Sequence, residues 1–210
     1  MKFFKEDVVA KILFIVYVIL FLLLAIHPYD RSVWWAENIP LVIIVGTLVV
    51  LYIRGIRFSW VSYLLMSVLI FIHTIGGYYT FERVPFNFID QLLNQPRNNY
   101  DRYGHFSVGF YTFAIMEGLL SYRLAANKWV AFFFGVFAIG FVAASYEIIE
   151  WLYAATSAPS SGASFLGSQG DIWDAQKDML ADICGAIVAG FGYLIFCKDT
   201  NNTPSYKSLS

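Results

Sequence analysis

Six long apolar runs constrain this chain more than any other feature. They lie at about residues 8–26, 39–54, 59–79, 104–123, 129–153 and 175–197, and a helix needs roughly 20 mainly apolar residues to cross a bilayer. In hydrocarbon every backbone N–H and C=O must find a partner within the protein, which leaves helices or closed barrels. The runs are continuous and lack the in-out alternation of barrel strands. The expected fold class is therefore all-α: an integral membrane bundle of about six transmembrane helices, with residues 1–198 forming one domain. Residues 199–210 read as a polar, disordered cytoplasmic tail. Composition agrees, since hydrophobic residues make up 59% of the chain and charged ones only 14%, too apolar for a soluble domain. The run at 12–26 lacks a cleavage pattern before His27-Pro28, so it is expected to stay as a helix.

The net charge of −1 and the absence of basic runs with interleaved aromatics exclude a nucleic-acid partner. Membrane lipids are the expected surroundings. Cys184 and Cys197 fall within and at the end of the last apolar run and read as packing residues. Nine of the 14 lysines and arginines lie at one membrane face on this map (Lys2, Lys5, Lys11, Arg54, Arg57, Arg123, Lys128, Lys198 and Lys207). The positive-inside rule then puts both termini in the cytoplasm. Eleven of the 15 acids and all three histidines lie at the other face, where five bases leave a net −6. The chemistry is polarised to the outer end of the bundle.

Four helix ends carry that chemistry. His73 precedes Gly76-Gly77, a pair that admits close approach. Asp101 and His105 are four apart, hence on one helical face. Tyr146-Glu147-Ile148-Ile149-Glu150-Trp151 holds two acids on one face, and Asp174, Asp178 and Asp182 form a stripe at successive turns. Asp101, Asp171 and Asp174 also suit ordinary helix starts, where a carboxylate is favoured by capping and the macrodipole. His27 and an isolated His73 read more simply as interfacial histidines. Glu147 and Glu150 are expected near a helix C-terminus, against the dipole. Asp178 and Asp182 enter the bilayer, where ionisable groups are rare and face an interior. Carboxylates with imidazole suit zinc, manganese, iron or magnesium. Glu117, near mid-helix, is read as paired with Arg123 or a neighbouring helix, protonated, or a proton-relay residue. Trp34-Trp35 and Tyr78-Tyr79 read as interface-belt aromatics.

These residues resemble the YjdF-like family of bacterial inner-membrane proteins, small six-helix proteins of unknown function. The resemblance runs through nearly the whole chain and is most specific at 73–79, 99–106, 146–151 and 170–182. It implies a bacterial inner-membrane location, multipass, and supplies no reaction. A partial resemblance, through Asp101, His105 and the late Asp-x3-Asp and glycine run, is to VanZ-like membrane proteins, which are linked with glycopeptide resistance. The arginine expected beside those late acids is absent here.

The leading expectation is a metal-dependent membrane hydrolase acting on a lipid or lipid-linked headgroup at the outer leaflet. His105, Asp178 and Asp182 would bind a divalent metal ion with His73 or Glu147, while Asp101 and Asp174 complete the ligand pool. Glu150, with Glu147 beside it, would act as base, and Ser160–Gly170 would form a lid. The alternatives are a divalent-cation or proton-coupled transporter, and a non-catalytic membrane binding or structural module in which Lys177 and Arg102 neutralise the acids.

Overall fold

A computed structural model describes residues 4–85, 88–92 and 97–197. The tail at 199–210 lies outside the described residues. Only helices occur among the described residues: α1 (Phe4–Leu24), α2 (Arg31–Ile53), α3 (Trp60–Tyr79), α4 (Phe88–Leu92), α5 (Tyr100–Val108), α6 (Tyr111–Ser121), α7 (Lys128–Thr156), α8 (Pro159–Leu166) and α9 (Asp174–Phe196). Five of them, α1, α2, α3, α7 and α9, are long and apolar enough to span a membrane.

The fourth apolar run is built differently. It folds as α5 and α6 in tandem, joined by Gly109 and Phe110, both in right-handed helical conformation. At the junction the bonds tighten: Phe110 N–H donates to Ser107 O at 3.1 Å and Thr112 N–H to Gly109 O at 3.0 Å, the i→i−3 pattern of a 3₁₀ turn. The cause lies across the interface. A Cβ on Gly109 would sit 2.1 Å from Ala186 N, and one on Gly185 would sit 1.9 Å from Phe106 O. Backbone therefore meets backbone where α5 crosses α9, the small-residue contact that substitutes for hydrophobic drive inside lipid.

Below that crossing, α6 is wedged between α7 and α9. Phe113 and Met116 of α6, Ala131 and Phe132 of α7, and Ala189 and Tyr193 of α9 make the largest buried cluster. The outward-facing rings of Phe137 and Phe141, more than two-thirds exposed, suit lipid rather than water. Cys184 also faces outward and both cysteines are free thiols, so Cys184 is not the packing residue expected of it.

Two helix boundaries differ from the sequence reading. α2 starts at Arg31, well before residue 39. Asp30 caps it, accepting from Ser32 N at 2.8 Å and Val33 N at 3.1 Å, and Pro40 is carried inside the helix. Trp34 is consequently buried against Phe21, with ring centroids 5.3 Å apart, while Trp35 alone of the pair remains exposed as an interface residue would. α7 runs on to Thr156, six residues past Glu150. Glu147 and Glu150 thus do not sit on a helix C-terminus, and opposition to the macrodipole, which fades within the last turn, does not apply to them.

Candidate metal centre

The α5–α9 crossing places the carboxylate stripe of α9 against the polar face of α5. His105 Nδ1 lies 3.1 Å from Asp182 Oδ2. Its Nε2 lies 3.7 Å from Asp101 Oδ1 and 3.9 Å from Asp178 Oδ1. One ligand atom from each of Asp101, His105 and Asp178 falls within 4.8 Å of the other two. Asp178 is 2% exposed and Asp182 0%. Asp182 Oδ1 has no hydrogen-bond partner among the described residues. Its other oxygen, Oδ2, fixes the orientation of the imidazole through Nδ1.

Asp174, expected among the ligands, is instead committed to arginine. Arg102 Nη2 donates to Asp174 Oδ1 at 2.5 Å and Arg97 Nη1 donates to the same oxygen at 2.6 Å. Arg102 Nη1 also pairs with Asp178 Oδ1. Asp171 is a helix-start acid, accepting from Trp173 N at 3.1 Å and from Lys177 Nζ at 2.6 Å. The Lys177 contact, first among its causes, holds the Asp171 carboxyl below its ordinary range.

His73 stands apart from the three converging atoms. Its Nε2 lies 2.9 Å from Glu37 Oε2, and Tyr146 OH donates to that same oxygen at 3.0 Å. The Tyr146 ring bridges the two histidines, 6.2 Å from His73 and 6.3 Å from His105. Glu37, Tyr146, Asp90 and Arg97 are the polar residues the sequence reading gave no role. Asp90 is buried and organises the approach to α5, accepting from Asn99 N at 3.0 Å, Asn99 Nδ2 at 2.9 Å and Tyr103 OH at 3.2 Å. The Gly76-Gly77 pair does admit close approach, of side chains: a Cβ at Gly76 would meet the Phe81 ring at 2.5 Å, and one at Gly77 would meet Glu37 Cβ at 3.0 Å.

Glu147 and Glu150 extend the cluster from α7. Glu147 lies in the field of His105, Asp178, Asp101 and Asp182, and its Oε1 is buried without a partner among the described residues. Glu150 is buried and feels Asp101, His105, Glu147 and Glu37. Seven carboxylates (Glu37, Asp101, Glu147, Glu150, Asp174, Asp178, Asp182) thus face two guanidinium groups and two imidazoles. So many buried anions require protons or a further cation.

The segment expected as a lid is mostly helical and packs on its neighbours. Residues 159–166 form α8, seated on α7 through Phe165 against Tyr153, centroids 4.4 Å apart, and tied to α2 by Ser161 Oγ donating to Asp30 Oδ2 at 3.4 Å. Asn98 and Gln169 bond reciprocally, at 3.0 and 2.8 Å, lacing the two outer loops together. Glu117 meets a neighbouring helix, one of the partners expected for it. It accepts from Ser59 N at 2.7 Å, Ser59 Oγ at 2.8 Å and Ser62 Oγ, so it closes the start of α3 from a neighbouring helix and is not paired with Arg123.

Comparison with known proteins identifies a membrane-protein family. Residues 9–199 match the family described as "Predicted membrane protein (DUF2238)". The inner membrane protein YjdF of Escherichia coli (strain K12) is 34% identical over 169 residues, which cover 77% of this chain and 78% of that protein. No solved structure matches.

Proposed function

Because the chain belongs to the DUF2238 family of predicted membrane proteins, a multipass bacterial inner-membrane protein is the premise, and we propose that its polar end is a divalent-cation centre of a membrane hydrolase. The supporting observation is the facing of lone pairs. With Nδ1–H assigned as donor to Asp182, His105 presents Nε2 to Asp101 and Asp178, and these ligand atoms lie within 4.8 Å of each other. Three electron-rich atoms so placed repel unless a cation or proton joins them; among the described residues the Arg102 guanidinium meets one of the three, Asp178 Oδ1, and a bound cation would share that oxygen with it.

Asp101, His105 and Asp178 would hold the ion, with Asp182 orienting the imidazole. A bound divalent cation supplies a water of lowered pKa and a Lewis acid for a phosphoryl or carbonyl oxygen. Glu147, with its unpartnered Oε1, would take the proton, and Glu150 would hold a proton between Asp101 and Glu37. Substrate reaching the site from the leaflet fits the surroundings of Glu147, whose neighbours Ile148, Ile149 and Trp151 are exposed along α7. A lipid or lipid-linked headgroup is therefore the proposed substrate class. The positive-inside rule would put the centre at the periplasmic face, which reporter fusions to each terminus would check.

The test is headgroup release from proteoliposomes containing phosphate- and ester-linked lipids, with and without chelator. Chelation, Asp178→Asn and Glu147→Gln are each expected to lower release at least 100-fold, the scale of a lost general base. Release by the wild type that none of the three changes reduces would refute the reading. A second reading has its own observation: Arg102 spans Asp174 and Asp178, as a purely structural ion-pair network would require. In that case no headgroup is released at all.

A further inference from the structure

α1 and α2 touch at one end only. Near the end of α1 the Phe21 ring packs on Trp34, and Arg31 Nη1 donates to Ala25 O at 2.7 Å. Toward the opposite membrane face, the one that carries the N terminus, both helices rest on α3 and part from each other. A cleft of about 240 Å³ opens between them, lined chiefly by Leu13, Tyr17, Leu48, Tyr63, Met66 and Ile70. It shares no residue with the carboxylate cluster and lies at the other end of the bundle.

Tyr17 and Lys11 stand out among the polar residues of this lining, where Tyr63 accepts from Phe58 N and Ser67 donates to Leu64 O. The Tyr17 hydroxyl is buried and has no hydrogen-bond partner among the described residues, a costly state in an apolar setting. Helical side chains lean toward the helix N-terminus, so Tyr17 reaches back toward the level of Leu13. Lys11 is exposed at the cleft, and among the described residues no carboxylate lies within ion-pair distance of it. Asp7, the nearby acid on α1, is taken by Arg57 at 2.9 Å. An apolar cleft open to lipid is filled by chains, because an empty one forfeits its dispersion contacts.

We propose that this cleft is a binding site for one anionic glycerophospholipid of the leaflet at the N-terminal face. An acyl chain occupies the space between α1 and α2, an ester or glycerol oxygen accepts the Tyr17 hydroxyl, and the phosphate lies at Lys11. The chemistry of all three contacts selects a lipid over a peptide or a soluble metabolite.

Native mass spectrometry of the full chain in non-ionic detergent, titrated with dioleoylphosphatidylglycerol or dioleoylphosphatidylcholine, tests this. One phosphatidylglycerol per chain should be retained in preference to phosphatidylcholine. Lys11→Gln should weaken retention roughly fivefold, the scale of one basic side chain on an anionic headgroup. Leu48→Trp, which fills the cleft, should lower it tenfold or more. Val142→Trp, on the exposed face of α7, should leave it unchanged. Equal uptake of the two lipids, or uptake unaltered in Lys11→Gln or in Leu48→Trp, overturns the proposal. Lys11 is a surface residue, so its arm stands even where Leu48→Trp fails to fold.

Discussion

Gly185→Ala addresses the contact on which the polar end depends. The new methyl carbon would lie 1.9 Å from Phe106 O and 2.9 Å from its carbonyl carbon. An ordinary carbon–oxygen approach is about 3.3 Å, so α5 and α9 must part by roughly 1.4 Å. Backbone cannot rotate away as a side chain can, and overpacking of this kind costs about 1–3 kcal/mol. For a chain of this length that is a fall in Tm of roughly 3–9 °C. The displacement also stretches the 3.1 Å contact of His105 Nδ1 to Asp182 Oδ2 beyond hydrogen-bonding range. Gly192→Ala is the internal control, because nothing lies within 4 Å of its added methyl. Intrinsic tryptophan fluorescence during heating in detergent would follow both variants. Equal Tm values for Gly185→Ala, Gly192→Ala and wild type would refute the backbone contact and the placement of the centre that follows from it.

Glu117→Ala leaves Ser59 and Ser62 donors unpaired at the start of α3 and should cost about 1–3 kcal/mol. Cation binding at the far end should be untouched, whereas a proton-relay role would show the opposite pattern. Arg102→Gln takes the guanidinium from Asp178 and leaves Asp174 to Arg97, and should cost about 3 kcal/mol, the low end for a broken buried pair, because the Arg102 side chain is 14% exposed. A divalent cation at 100 times its Kd should restore about 2.7 kcal/mol of that, and a Tm indifferent to added cation would favour the structural network. Asp30→Ala should cost about 1 kcal/mol as a lost N-cap. The Ser32 hydrogen bond holds the Asp30 carboxyl below its ordinary range, so this contribution is present above the unfolded value near pH 4 and fades as pH falls through the folded one. The Tm gap between wild type and Asp30→Ala should therefore be constant from pH 7 to about 5 and close below pH 4. A gap that does not narrow at all as the pH falls below 4 would contradict the capping geometry.

Hydropathy and helical spacing made the bundle and most of the site legible. Asp101 and His105 do share a face, and Asp178 and Asp182 do turn inward, because one helical period governs both facts. Glu37 was missed because the second apolar run begins at 39, whereas the helix starts at Arg31 behind the Asp30 cap and carries Pro40 inside it. The break at Gly109 was hidden because its cause lies on another helix, in the backbone at Gly185. Asp174 was given to a metal because sequence spacing cannot show Arg97, 77 residues earlier, donating to its carboxylate. Tyr146 was quoted within its motif, but only the fold reveals that it stands between two histidines with its hydroxyl on Glu37.

Metal content of the purified protein bears on the centre most directly. After stripping with chelator and dialysis against one divalent cation at a time, elemental analysis should find close to one equivalent per chain for at least one cation. Asp178→Asn and His105→Ala should each abolish that retention, while Asp171→Asn, at the helix start, should not. A wild-type chain that retains none of manganese, zinc, iron or magnesium, or variants that retain as much as the wild type, would contradict a cation centre at Asp101, His105 and Asp178.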